Sequence, residues 1–413
     1  MACLMERAEV RVVVVDDSLL MRELLQSALT ETGDIDVVGA AANPYEAREV
    51  IRATNPDVVT LDVEMPGMSG LEFLRRIMQL RPTPVVMVAG STTAGAETTL
   101  AALEISAVDF VSKPVGRAGW IDFAATVRHK VRAAASIRLN RHAVPACSRA
   151  ALAQTASTRQ RLQPPQPTQY TPANPGRSPA GRPPMAQRGA DPHTAPAPAA
   201  RSPAFARCDL IAIGASTGGV TAINRLLAGL PRQIQSDRER SGTPPIVIAQ
   251  HMPPDFTARF ADRLARSTGL DVAEASDGEA LMNGMIRIAP GDRHLRVARQ
   301  GDRLICLLGE DDLVNGHRPS VDVLFTSVAT ALRARAVGVI LTGMGSDGAN
   351  GLTMMRAAGA HTLGEAESSC TVYGMPKAAM QMGAVAEELE IGGLAERLRG
   401  ALTDAGAAPE ITR

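Results

Sequence analysis

Short apolar runs recur along this chain, each stopping abruptly at a polar residue and each followed by enough residues for a helix. In residues 10–135 the runs are Val10–Val15, Val37–Ala41, Val58–Leu61, Pro84–Val88 and Val108–Val111. From Cys208 onward they are Leu210–Ile213, Ile246–Ala249, Met285–Ile288 and Val337–Leu341. Continuous apolar runs, rather than alternating ones, suit strands buried on both faces, so the pattern predicts parallel sheets covered by helices. One exception interrupts the second series. His294–Val297 and Leu304–Leu308 flank Ala298–Arg303 and predict a β-hairpin turning at Gly301-Asp302. In open α/β sheets ligands bind outside the carboxyl ends of the strands, so the residues that end these runs are the first candidates for chemistry.

The two series are separated by a stretch of different composition. Thirteen of the 28 prolines lie between Pro145 and Pro203, eight arginines lie between Arg149 and Arg207, and Asp191 is the only acid there. Such a segment cannot bury enough apolar surface to fold, which predicts a disordered Pro/Ala/Arg-rich linker over 141–206. Lys plus Arg equals Asp plus Glu over the whole chain, so no global field points to nucleic acid. The five cysteines are scattered, without zinc spacing or a disulfide framework, and suit a reducing compartment. No apolar run is long enough to span a membrane and no signal-peptide pattern opens the chain, so a soluble cytoplasmic protein without membrane insertion is expected.

In the first series, Asp16 and Asp17 follow the first run, Asp62 the third with Glu64 two residues on, and Lys113 the fifth. Carboxylates gathered at one sheet edge repel, and hard oxygen ligands with open positions suit Mg²⁺. An aspartate held beside that ion and a lysine can accept a phosphoryl group. Singly, each aspartate after a strand reads equally well as a helix cap, and Ser18 is expected to do no more than cap the helix after Asp17.

In the second series, Gly214-Ala215-Ser216-Thr217-Gly218 fits the G-x-S-x-G turn of a serine nucleophile, and fits a phosphate-binding turn almost as well. A serine hydroxyl needs a base and an orienting carboxylate. His251 ends the run Ile246–Gln250, and Asp347 lies in the glycine-rich turn after Val337–Leu341, where a helix N-cap is the competing role. His294, His317 and His361 are expected to be surface or structural. The order Ser216, His251, Asp347 differs from the order in α/β-hydrolases. A dinucleotide site is the main rival, but the turn lacks one glycine of G-x-G-x-x-G, and no acid ends a second strand about 20 residues on.

Residues 8–133 resemble a response-regulator receiver domain, through Val15-Asp16-Asp17-Ser18, Leu61-Asp62-Val63-Glu64-Met65-Pro66-Gly67-Met68-Ser69-Gly70 and Asp109-Phe110-Val111-Ser112-Lys113-Pro114. The resemblance implies a flavodoxin-like (βα)5 fold and Asp62 as phosphoacceptor. It further implies Mg²⁺ held by Asp16, Asp17, Asp62 and the Glu64 carbonyl, with Lys113 touching the phosphoryl group. The pattern departs at Ala89, where receivers carry Ser or Thr; this implies looser coupling, or substitution by Ser91, Thr92 or Thr93. Residues 207–402 resemble the catalytic domain of the CheB family of chemotaxis protein-glutamate methylesterases. The carrying segments are Ile213–Gly219, Gln250-His251-Met252-Pro253, Arg318–Phe325 and Leu341–Gly348. This implies a doubly wound, mostly parallel α/β esterase with Ser216, His251 and Asp347 as its triad, Thr217 and Met344 lining the site, and no cofactor for the esterase step. The implied substrates are γ-methyl-glutamyl side chains of methyl-accepting chemotaxis receptors, with glutamine deamidation as a related activity, and the phosphodonor is a histidine kinase of the chemotaxis type. Two alternatives stay open: action on a non-chemotactic protein, or a binding module with an inactive esterase.

Overall fold

In the first domain, β1 (Val10–Val15) places four consecutive buried valines, Val12 to Val15, inside a five-stranded parallel sheet. The other strands are β2 (Ile35–Ala41), β3 (Val58–Asp62), β4 (Val85–Ala89) and β5 (Asp109–Ser112), in the order β2-β1-β3-β4-β5. The computed structural model describes residues 9–90, 93–114, 116, 119–137, 208–230 and 244–404. The linker expected over 141–206, and Ser91 and Thr92, lie outside those residues.

The connecting helices begin where side chains satisfy free backbone N–H groups. Ser18 accepts from Met21 N–H at the start of α1 (Leu19–Thr30), as expected. Asn43 accepts from the N–H groups of Tyr45 and Glu46 at the start of α2 (Pro44–Thr54). Ser69 does the same for α3 (Gly70–Leu80). A Cβ on Gly70 would stand 2.0 Å from the Asp62 carbonyl oxygen, so glycine is what lets α3 start hard against the end of β3. The helices α4 (Thr93–Ile105) and α5 (Trp120–Ala135) complete the domain.

The second domain is built on a seven-stranded, all-parallel sheet ordered β15-β14-β13-β6-β7-β10-β8. Its strands are β6 (Leu210–Ala215), β7 (Ile246–Gln250), β8 (Asp271–Glu274), β10 (Met285–Ile288), β13 (Ala336–Ile340), β14 (His361–Glu365) and β15 (Glu387–Leu389). The hairpin is present as β11 (His294–Gln300) and β12 (Arg303–Gly309), joined by β9 (Ala280–Leu281) into a small antiparallel sheet. Helices α6 (Gly219–Ala228), α7 (Pro254–Thr268), α8 (Val321–Leu332), α9 (Ala349–Ala357), α10 (Met375–Gln381) and α11 (Ile391–Asp404) cover it. Strand β6 is where the winding reverses: β7 lies on one side of it and β13 on the other. A crevice opens at the carboxyl end of such a strand.

The two domains share one continuous apolar cluster. Phe110 of β5 packs on Phe256 of α7, ring centroids 4.3 Å apart, and α4 lies against α6 and α7. Glu104 pairs with Arg263, and Thr221 Oγ1 donates to the Leu103 carbonyl at 3.3 Å.

Candidate active site

The turns that follow three adjacent strands, β6, β7 and β13, bring their residues to one place. Between β6 and α6 the chain turns through Gly218 at φ 80, a conformation that favours glycine, and this leaves Ser216 at the strand's end. His251 N–H donates to the Ala215 carbonyl at 3.1 Å, and Gln250 Nε2 donates to the Ser216 carbonyl at 2.9 Å, which ties the two turns together. His251 Nδ1 then lies 3.1 Å from Ser216 Oγ, and its Nε2 lies 2.8 Å from Asp347 Oδ2. With Nε2–H donating to the carboxylate, Nδ1 keeps a lone pair facing the serine hydroxyl.

Asp347 does not cap the helix that follows it; Gly348 holds that position. Its carboxylate turns instead to the start of α8, accepting from Val321 N–H at 2.7 Å, Asp322 N–H at 3.2 Å and Ser320 Oγ at 2.7 Å, with Asn315 Nδ2 at 2.8 Å. Burial pushes the Asp347 pKa upward, but the hydrogen bond and charge of His251, with the bonds from Asn315 and Ser320, outweigh it and hold the carboxyl below the usual carboxylate range. Asp347 is therefore a fixed anion behind His251.

Two backbone N–H groups beside Ser216, those of Thr217 and Met344, donate to no acceptor among the described residues. The N–H of Ser216 itself is taken by the Thr342 carbonyl at 3.0 Å. Free N–H groups at such a turn are the kind of donor that can face a developing oxyanion.

Sequence reasoning set His317 aside and did not single out Glu365, and the structure brings both to this site. The His317 ring stacks on His251 at 3.8 Å and 18°, because the loop from Val314 to His317 closes on itself by paired backbone bonds and lays one imidazole over the other. Burial, then the His251 charge, push its pKa down to about 3, so it packs as a neutral ring. The buried carboxylate of Glu365, at the end of β14, accepts from Thr342 N–H at 2.8 Å and Ser369 Oγ at 3.0 Å, with burial pushing its pKa up. Both lay in runs without a motif; Glu365 had the signal of an acid ending a β-run. His294 and His361 are structural as expected: His294 is buried and accepts from Ser320 N–H at 3.2 Å, and His361 meets Glu387 at 2.6 Å.

In the first domain Asp16, Asp17 and Asp62 bring carboxylate oxygens within 4.8 Å of one another. Lys113 Nζ bridges Asp16 at 2.9 Å and Asp62 at 2.8 Å. Burial pushes the Asp62 pKa up to about 6; the Lys113 hydrogen bond opposes this and the Asp16 charge adds to it. Burial works against the Lys113 ammonium too, yet its bonds to Asp62 and Asp16 hold its pKa above the usual lysine value. A crowded set of hard anionic oxygens with one lysine fits a small divalent cation such as Mg²⁺. Glu64 N–H donates to Asp62 Oδ1 at 3.3 Å, which keeps the Glu64 peptide beside the cluster. Ala89 ends β4 with its methyl buried and offers no hydroxyl.

The response regulator receiver domain family matches residues 12–122, and the CheB methylesterase family matches residues 211–398. A protein-glutamate methylesterase/protein-glutamine glutaminase of Caulobacter vibrioides is 46% identical over 95% of this chain and 97% of its own length. A second, from Burkholderia thailandensis, is 45% identical over 95% of this chain and 99% of its own length. The counterpart from Shigella flexneri is 41% identical over 95% and 96% respectively. With both domain families matched and relatives aligned almost end to end, the chain belongs to the CheB family of receiver-linked methylesterases.

Proposed function

We propose that this protein hydrolyses γ-methyl esters of glutamate on methyl-accepting chemotaxis receptors, deamidates receptor glutamines, and does so under control of phosphorylation at Asp62. The observation that carries the esterase reading is the unbroken chain Ser216–His251–Asp347 at 3.1 and 2.8 Å. In this reading His251 Nδ1 takes the Ser216 proton as Oγ bonds to the ester carbonyl carbon. The oxyanion faces the N–H groups of Thr217 and Met344. The C–OCH₃ bond breaks as His251 returns the proton to the leaving methoxide, releasing methanol. Water, deprotonated by the same nitrogen, then frees the glutamate; with a glutamine substrate the leaving group is ammonia. General-base action is worth roughly 10²–10⁴-fold and each oxyanion donor about 10²–10³-fold. The esterase step calls on no cofactor.

On the receiver side Asp16, Asp17, Asp62 and the Glu64 carbonyl would hold Mg²⁺, and Lys113 would meet the phosphoryl oxygens. Mg²⁺, when bound, offsets the charge that builds on the transferring phosphoryl group. The phosphodonor in this reading is a chemotaxis-type histidine kinase, and the place of action is the cytoplasmic face of the receptors. Among the described residues no helix is long and apolar enough to cross a membrane. The domain contact supports control: Thr217 Oγ1 donates to Asp109 Oδ2 at 2.5 Å, so a receiver side chain holds the residue next to the nucleophile.

Methanol release from methylated receptor fragments tests the chemistry, with Ser216→Ala expected to be inactive. A fully active Ser216→Ala protein would refute the triad. No release by the wild type, with or without a small phosphodonor, would leave a binding module instead. A rate unchanged by phosphodonor in the wild type would remove the switch; Asp62→Asn should not respond.

A further inference from the structure

A groove of about 470 Å³ runs between α2 and α3 of the receiver. Ile51, Phe73 and Ile77 form its buried floor, and Met68 lines it from the loop that leaves Asp62. Tyr45 and Leu80 line the same groove yet stand 70% and 79% exposed. Two exposed apolar side chains flanking a groove with an apolar floor present a surface that another apolar face can cover. The contacts with the esterase domain run through α4 and β5, on other elements of the receiver.

The charge on this groove is one-sided. Arg48, Arg52, Arg76 and Arg81 line it and no acid does, although the whole chain is neutral. Arg76 is paired with Glu72, and Arg81 is held by the Ile51 carbonyl and Asn55. Arg48 and Arg52 are exposed, one helical turn apart on α2, and have no ion-pair partner among the described residues. Two unpaired guanidinium groups beside an apolar trough present a fork geometry that matches carboxylates.

We propose that the α2–α3 groove docks an acidic amphipathic helix of another protein. An apolar stripe at i, i+3, i+4 and i+7 would lie over Ile51, Phe73 and Ile77, between Tyr45 and Leu80. Two carboxylates one turn apart at its edge would meet Arg48 and Arg52. The groove shares the Val63–Ser69 loop with the carboxylate pocket: Met68 lines one, and Val63, Met65 and Ser69 line the other. A helix seated there touches the loop that carries the phosphoacceptor's neighbours.

The test uses the full chain and two labelled synthetic helices with the same leucine stripe, one with glutamates and one with lysines at the flanking positions, read by fluorescence anisotropy. The glutamate helix should bind, and binding should weaken as salt rises. Arg48→Glu/Arg52→Glu should weaken it by about tenfold or more, with the basal esterase rate unchanged. Equal binding of both helices, an unaffected double variant, or no binding up to about 1 mM overturns the proposal. Sedimentation of the chain alone covers the remaining occupant. A dimer that Leu80→Glu abolishes would assign the groove to a second copy, and that too overturns it.

Discussion

At the residue scale, two carboxylates respond to their surroundings in opposite ways. Asp347 is held ionised by its donors, so its folded pKa lies below its unfolded value. The stability it contributes is full above the unfolded value and is lost only as pH falls through the folded one. Asp62 is the reverse: with a folded pKa of about 6, its favourable contribution is full below the unfolded value near 4 and is lost as pH rises through 6. Asp62→Asn should therefore raise the melting temperature at pH 7.5 and leave it unchanged near pH 4, as read by calorimetry. Added Mg²⁺ should raise the wild-type value at pH 7.5 more than that of the variant. Asp347→Asn should lower kcat by about 10⁴-fold, since the imidazole loses its orienting acceptor, and should lower thermal stability as well. Glu365→Ala should cut kcat about tenfold with KM unchanged, by releasing the Thr342 strand end against which Ser216 is hydrogen-bonded. Glu365→Gln, which can still accept from Thr342, should keep most of the activity. Ser216, His251 and Asp347 stood out as candidates because each lies in the turn that follows an apolar run. His317 was not, because its place depends on how an irregular loop closes, and nothing in Asn315–Pro319 repeats with a strand or helix period.

At the scale of elements, the apolar runs located the central strands to within a residue or two. Leu210–Ile213 extends to Ala215 because Gly214 and Ala215 pair with Ala249 and Gln250. The strands that escaped notice, β8, β9 and β15, are two to four residues long and partly exposed. They form because a neighbour's edge is available, and that lies outside local sequence. Helix α4 and strand β5 have a second task, since they carry the contact with the esterase. Exchanging charge at Glu104–Arg263 tests it. Glu104→Arg should raise the unphosphorylated esterase rate severalfold, within the usual range of about 1–3 kcal/mol for coupling between sites, and adding Arg263→Glu should restore the low rate. A single variant that leaves the rate unchanged would show that this contact does not restrain the esterase.

At the scale of the whole molecule, the receiver and the esterase are two windings of the same strand–helix pattern, and each gathers its chemistry at the carboxyl edge of its sheet. What joins them is a side of the receiver away from its carboxylate pocket: Asp109 and Phe110 begin the strand that Lys113 follows. Only three residues lie between Asp109, which contacts Thr217, and the lysine that touches Asp62. Motifs at strand ends point to the two candidate sites, but nothing marks this junction, because Asp109 and Phe110 belong to the receiver motif and carry no separate mark of contact with another domain. Asp347 has a further consequence of its own. Its carboxylate meets the imidazole and also holds the first turn of α8, so in the proposed mechanism one side chain answers both to catalysis and to folding. A descendant that gave up hydrolysis could lose its serine or histidine freely, but not this acid. Inactive paralogues on this scaffold should therefore be recognisable as chains that have kept the aspartate alone.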